Sequence, residues 1–376
     1  MDRIAQELSE LKNHNQFRQI PDITEKYDGK IIINGREMIN FASNDYLGIS
    51  TKSFLSDEFL NSEKHSFSSA SARLLSGSSK EFSSLEKTLS NIFNKEGCLI
   101  YNTGYQCNLG VISALCQKGD VVFSDKLNHA SIIDGMRLSE GEFVRYPHLD
   151  YDRLEALLKS KRNNYKRAII ISESVFSMDG DTTDIKRLTE IKNKYNCLLM
   201  IDEAHAFCAC GDGLTGISGG NGADIITATF GKSLGSFGAF CVSDNKIIDY
   251  LINKSRAFIF STSIPPVNIA WTNWLLTEKR EYLNEQKQKL NNLTRVCHKI
   301  LKERNIFTPS NTQIIPVITG SNENTVRISE KLIAEGYYIP AIRPPTVKEG
   351  TSRLRISLTA DINYEDFCKV LDILSE

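Results

Sequence analysis

The chain has 376 residues, 41% of them hydrophobic and 24% charged, with 45 basic and 46 acidic side chains and a formal net charge of -1. That length implies two or three domains with sizeable cores. The charge balance gives no electrostatic reason to bind nucleic acid or an anionic membrane, and no apolar run approaches the roughly 20 residues of a membrane span.

The first residues, "MDRIAQELSELKNHNQFRQI", are charged and carry acids in their first turns, unlike a secretory or mitochondrial presequence. Ile4, Leu8 and Leu11 fall at helical spacing and predict a short amphipathic helix. Residues 1–42 are read as this helix followed by short strands, 43–265 as a large α/β domain and 266–376 as a smaller α+β domain. In the large domain "CLIYNTG", "VVFSD", "RAIIISES", "CLLMIDEA", "ADIITATF" and "AFCVSD" read as buried strands, with helical patterns such as "YDRLEALLKSKRN" and "IKRLTEIKNKYN" between them. The alternation predicts a mostly parallel sheet covered by helices, whose ligands bind beyond the carboxyl ends of the strands. The double proline of "FIFSTSIPP" breaks the pattern. A long charged helix to about Arg304 follows, then "TQIIPVIT", a helix, "YYIPAIRPP", "SRLRISLT" and a last helix.

Nine cysteines without a CxxC pair fit a reducing, cytoplasmic setting. "CAC" at 208–210 has no second ligand pair and reads as small loop residues rather than a metal site. "GDGLTG" matches GxGxxG, but a dinucleotide site needs the motif to follow a strand directly and open a helix, with an acid about 20 residues on. Here the apolar run ends near Ile201, "ISGGNGAD" is too glycine-rich for a helix, and the acid is missing. The match is read as a flexible loop.

Several polar groups fall at predicted strand ends. Asp202 and His205 close "CLLMIDEAHA"; Thr229 and Lys232 follow the next strand; Glu173 and Ser177 close a third, and Asp125 and His129 a fourth. Taken singly, each has an ordinary structural role: an acid caps a helix and a lysine snorkels to water. Together they supply what a pyridoxal phosphate (PLP) site needs: an amine for a Schiff base, an acid for the pyridine nitrogen, imidazoles, and hydroxyls and amides for the phosphate. Lys232 sits alone among small and apolar residues in "TATFGKSLGSFGAF", where desolvation favours its neutral, nucleophilic form.

The segments "FASNDYLGIS", "YNTGYQCNLGVISAL", "LNHASIIDGMRLS", "ESVFSMDGD", "IDEAHAF", "TFGKSLGSFGAF", "STSIPP" and "IRPPTVKEGTSRLRISLTA" occur in this order. Over nearly the whole chain, from about residue 18, they resemble the α-oxoamine synthases. That resemblance implies PLP-dependent transferase fold type I, with a large cofactor domain and a smaller α+β C-terminal domain. It implies that Lys232 holds the cofactor, Asp202 pairs with the pyridine nitrogen, His205 contacts the ring oxygen and His129 stacks on the ring. Ser177, Thr229 and the backbone of Gly104 and Tyr105 would hold the phosphate. Ser261 and Thr262 would reach the phosphate of the opposite subunit, implying a homodimer with shared sites. Asn44 and Arg355 would take the amino-acid carboxylate, with Arg18 and Thr346 at the entrance; without the resemblance, Arg355 reads as a solvent-facing strand charge.

"AIRPPTVKEGTSRLRISLTA" is most similar to members that condense L-alanine with a pimeloyl thioester. Glycine with another acyl-CoA stays open, as does coenzyme A against an acyl carrier protein. Amino-group exchange on the same fold and a non-catalytic binding module are further alternatives; the intact Lys232, Asp202, His129 and His205 argue against the latter. Two departures stand out. "FSSASARLLSG" replaces a segment that is glycine-rich in many relatives, and Ala206 and Cys208 stand where relatives often carry glycine.

Overall fold

The computed structural model describes residues 2–62 and 64–375 and divides into two compact units. One comprises Ser53–Phe176 and Thr182–Lys287; the other gathers Met1–Lys52, Ser177–Asp181 and Gln288–Glu376.

A seven-stranded sheet organises the first unit, in the order Gly97–Tyr101, Ala239–Ser243, Ile225–Thr229, Leu198–Asp202, Ala168–Glu173, Val121–Asp125, Glu142–Tyr146. Every pairing is parallel except the two made by Ala239–Ser243. The apolar runs become strands because both faces of the sheet are covered: every residue of Val121–Asp125, Ala168–Glu173 and Ala239–Ser243 is buried. Val111, Leu115, Ile132 and Met136 from the helices Gly104–Leu115 and Ala130–Leu138 pack with Val122, Ile169, Ile171 and Met200 in one buried cluster. Glu142–Tyr146, which shows no such run, is one of the two edge strands, and only Tyr146 in it is buried.

The helices Gly104–Leu115 and Ala130–Leu138 start within a few residues of the preceding strand and Ile185–Lys194 after a longer loop, capped by Thr103, His129 and Asp184, whose side chains accept from the backbone N–H groups of Gln106, Ser131 and Arg187. Strand carboxyl ends and helix N-termini therefore share one edge of the sheet.

The "GDGLTG" segment opens no helix. Gly211, Gly213 and Gly216 all have positive φ (67, 58 and 87°), as does Cys208 at 62°. A Cβ on Gly216 would lie 2.3 Å from Glu203 Oε2, so this close approach requires glycine. The loop is pinned rather than slack. The buried Glu203 carboxyl accepts from the N–H groups of Ser218 (2.6 Å) and Ile217 (3.2 Å), and the Ser174 hydroxyl donates to it (2.5 Å). From the helix Arg280–Glu303, buried Lys287 donates through Nζ to the carbonyls of Cys210 (3.1 Å), Gly211 (2.7 Å) and Gly213. Burial lowers the pKa of Lys287 and raises that of Glu203. Lys287→Met would leave these carbonyls without a donor and is expected to cost about 2–3 kcal/mol in a denaturant titration. An unchanged midpoint would show that the ammonium contributes nothing.

In the second unit, Ile23–Tyr27, Lys30–Ile33 and Arg36–Asn40 form an antiparallel meander, and Tyr337–Tyr338 joins its last strand in parallel. A second sheet runs Ile314–Gly320, Ser352–Ser357, Ala341–Ile342. The pairing of residues 337–338 with 39–40 gathers the N-terminal segment with the C-terminal region, a grouping that differs from bounds at 42 and 265. The N-terminal helix spans Asp2–Asn13. Among the described residues no helix is long and apolar enough to cross a membrane.

Candidate active site

Beyond the strand ends of the first unit lies a cleft of about 200 Å³. Gly104, Tyr105, Asn108, His129, Ser131, Glu173, Asp202, Ala204, His205, Thr229 and Lys232 line it.

Lys232 lies in the turn between the adjacent strands Ile225–Thr229 and Ala239–Ser243. The turn is closed by Phe230 N–H to Gly238 O (2.9 Å), Ser236 N–H to Phe230 O (3.1 Å) and Gly235 N–H to Lys232 O (3.0 Å). Gly238, at φ 117°, leaves no room for a side chain: a Cβ would sit 2.7 Å from Ile264 Cδ1. The Thr229 hydroxyl lines the cleft, donates to Gly238 O (2.9 Å) and accepts from Gly231 N–H (3.2 Å).

Asp202 is buried at the end of its strand. Its Oδ1 accepts from Ala204 N–H (2.9 Å) and its Oδ2 from the amide of Asn108 (2.7 Å), so each oxygen has a donor. His129 caps its helix through Nδ1, which accepts from Ser131 N–H (3.2 Å) and meets Ser131 Oγ at 2.8 Å. Burial lowers the His129 pKa, the nearby Asp202 opposes the shift and Lys232 reinforces it, so the ring is biased towards its neutral form.

Glu173 also lines the cleft and accepts from His129 N–H. Burial first and Asp202 second push its pKa well above the ordinary carboxyl range, against Lys232 and the His129 amide. A raised folded-state pKa means a stabilising contribution that is complete below the ordinary glutamate value and is lost as pH rises through the folded value. In the cofactor-free protein, Glu173→Gln is therefore expected to flatten the fall in melting temperature between about pH 5 and pH 8. Equal slopes for the two proteins would contradict this.

Gly104 and Tyr105 open the twelve-residue helix Gly104–Leu115, and N–H groups in the first turn have no partner within a helix. With the helix dipole behind them they form a place for an anion. A lysine amine, a carboxylate, two imidazoles and this helix end, around one cleft, match the needs of a phosphorylated pyridine aldehyde.

Asn108 and Ser131 line the cleft but are not singled out by the sequence. Asp125 lies outside it: it pairs with His148 Nδ1 (3.0 Å) and accepts from the N–H groups of Leu127 and Leu149. Ser261 Oγ donates to Ala257 O (2.7 Å), and Thr262 forms an isolated bridge with Ala72. Neither lines the cleft. Ser177 belongs to the second unit, where its carbonyl accepts from Arg355 Nε (2.5 Å).

Arg355 faces inward and is only 7% exposed. Its Nη1 donates to Asn44 Oδ1 (3.1 Å) and Ser357 Oγ (2.6 Å), and Nη2 donates to Tyr46 OH (3.3 Å). A guanidinium held this way is pre-set for a carboxylate. Arg18 and Thr346 also meet, at 3.4 Å, with Arg18 donating to the carbonyls of Arg343 and Pro344.

The family described as "Aminotransferase class I and II" matches residues 36–374. A relative from Pasteurella multocida (strain Pm70), named "Putative 8-amino-7-oxononanoate synthase", is 41% identical over 99% of this chain and 98% of its own length. A serine palmitoyltransferase from S. paucimobilis, solved with a bound PLP-myriocin aldimine, superposes with a TM-score of 0.88 at 26% identity, covering 99% of this chain and 96% of that one. The fold alone is shared with 8-amino-7-oxononanoate synthase from Francisella tularensis, at a TM-score of 0.74 and 24% identity over 90% of this chain and 97% of that one.

Proposed function

Because the chain belongs to the class I and II aminotransferase family and, within it, to the α-oxoamine synthases, we propose that it condenses L-alanine with a pimeloyl thioester to give 8-amino-7-oxononanoate for biotin synthesis. The protein is a PLP-dependent acyltransferase. The observation that carries the site assignment is the cleft that gathers Lys232, Asp202, His129, His205 and the N-terminus of helix Gly104–Leu115.

When bound, PLP supplies an aldehyde for the amine and a ring that accepts the electron pair released at Cα. Asp202, whose two oxygens each accept a hydrogen bond, would pair with the ring nitrogen and favour its protonated form. His129 would pack on the ring face and His205 would meet the ring oxygen. The N–H groups of Gly104 and Tyr105 would hold the phosphate, with the hydroxyls of Thr229 and Ser177 assigned to it as well. Arg355 and Asn44 orient the carboxylate of the amino acid, while Arg18 and Thr346 guide the thioester.

Lys232 Nζ holds the cofactor at rest and, once displaced by the amino acid, takes the proton from Cα. The new Cα–C bond forms as the C–S bond of the thioester breaks, and the leaving thiolate takes a proton from solvent. The carboxylate departs as CO2, and Lys232 returns a proton to Cα. Ser261 and Thr262 serve the phosphate of a second subunit in a cytoplasmic homodimer, and the acyl carrier is coenzyme A or an acyl carrier protein.

The test offers the purified, PLP-loaded protein L-alanine or glycine with pimeloyl-CoA, pimeloyl-carrier protein or acetyl-CoA, and identifies the product by mass spectrometry. Product from L-alanine and a pimeloyl thioester, with glycine slower by at least about tenfold, is expected. Preference for glycine and a short acyl group would replace the proposed substrates. Exchange of the amino group with a keto acid would replace the reaction itself.

A further inference from the structure

One amide ties together the groups on both sides of the cleft. Asn108 lies on the helix Gly104–Leu115 between the buried Cys107 and Val111 and is 3% exposed. An amide there is costly unless its bonds are satisfied. Its Nδ2 donates to Asp202 Oδ2 (2.7 Å) and to Ser131 Oγ (3.0 Å), and its Oδ1 accepts from the Thr227 hydroxyl (2.8 Å).

The sense of this amide is fixed by chemistry. A carboxylate accepts where an amide NH2 donates, so the NH2 faces Asp202 and the carbonyl is left for Thr227. The Ser131 oxygen receives a hydrogen from Asn108 and directs its own to His129 Nδ1, 2.8 Å away. The Ser131 N–H points to the same nitrogen (3.2 Å). With two donors converging on Nδ1, the neutral imidazole carries its proton on Nε2.

We propose that Asn108 is a positioning residue that sets the orientation of the Asp202 carboxylate and, through Ser131, the tautomer of His129. The inference rests on the proposed placement of the cofactor between these two side chains. It goes beyond that placement by making the two contacts interdependent. A disturbance on the His129 side reaches the Asp202 carboxylate through one rigid group, without passing through the cofactor.

The test compares wild type, Asn108→Ala, Asn108→Asp and Ser131→Ala. Long-range nitrogen–proton spectra of histidine-labelled, PLP-free protein report the His129 tautomer, with six histidines to resolve in the chain. Wild type is expected to show the Nε2–H form, and Asn108→Ala and Ser131→Ala, in which the backbone N–H of residue 131 (3.2 Å) is the one fixed donor left on Nδ1, a larger share of the Nδ1–H form. In PLP-loaded protein, Asn108→Ala is expected to weaken PLP binding about tenfold and to lower kcat about tenfold or more, with KM for the thioester within about twofold. Asn108→Asp, which sets a second carboxylate against Asp202, is expected to bind PLP more weakly still as pH rises. Ser131→Ala is expected to change the tautomer while holding PLP within about threefold of wild type.

An unchanged tautomer in both alanine variants, with PLP affinity like wild type, would overturn the proposal and leave Asn108 as a satisfied core amide. If Asn108→Ala does not fold, Ser131→Ala decides: a retained Nε2–H tautomer overturns the relay. If wild type takes up no PLP, the proposed function fails, and the spectra of the PLP-free protein still decide whether Asn108 governs His129.

Discussion

Lys232→Ala is expected to reduce turnover by about 10⁴-fold or more and to abolish the visible absorption that the bound cofactor owes to its link with the lysine. The size follows from the double duty assigned to one amine. In the proposed role it would hold the cofactor covalently at rest and move the proton at Cα, and general acid–base catalysis alone is worth about 10²–10⁴. Binding is expected to survive, because the helix N-terminus at Gly104, the Asp202 carboxylate and His129 remain in place. Dialysis should therefore show PLP retained but reducible by less than in wild type, and a small primary amine in the buffer should restore part of the rate. A variant that turns over at more than about one hundredth of the wild-type rate would take the proton transfer away from Lys232.

The second large effect is expected at Asp202. Asp202→Asn conserves shape and still accepts from Ala204 N–H, yet it removes the negative charge that keeps a pyridine nitrogen protonated. Turnover is expected to fall by about 10²–10³-fold, the scale on which a positioned electrostatic partner acts in a dry site. In the PLP-free protein the loss of this charge removes one cause of the raised Glu173 pKa, but the new NH2 faces the Asn108 amide and leaves a buried donor without an acceptor, so the melting temperature is expected to fall. A rate within about threefold of wild type would show that the ring nitrogen does not depend on Asp202.

The legible part of the fold was the part with one-dimensional causes. Strands such as Ala168–Glu173 and Ala239–Ser243 are buried on both faces, so they appear as unbroken apolar runs. Glu142–Tyr146 lies at the sheet edge with Phe143 43% exposed, and its mixed composition hid it. The grouping of the N-terminal strands with the C-terminal region depends on a pairing across nearly 300 positions, which no local period encodes.

The cleft divides along the same line. Lys232, Asp202 and His129 were readable because each follows an apolar run, where strand ends collect in a parallel sheet. Asn108 was not: in sequence it is one amide inside "YQCNLGVISAL", and its partner Asp202 lies 94 residues away. The inward course of Arg355 was equally hidden, because its alternation with apolar neighbours suits either face of a strand. Its burial comes from Asn44, Tyr46, Ser177 and Ser357, supplied by three separate stretches of chain.

The reversed direction of Ala239–Ser243 has a mechanical consequence. A parallel neighbour would have required a long crossover, with the reactive amine carried on a segment free to drift with its helix. An antiparallel one lets the chain double back within nine residues, from Phe230 to Gly238, so Lys232 hangs on a short tether fastened at both ends by sheet hydrogen bonds. Such a tether closes at little entropic expense and forms from sequence-local contacts. The nucleophile is thus on the most self-sufficient piece of the cleft, whereas Asp202 and His129 reach it only after distant strands have docked. During unfolding, the pocket should come apart around its lysine, and the amides of Phe230 and Ser236 should be among the last in the cleft to exchange with solvent.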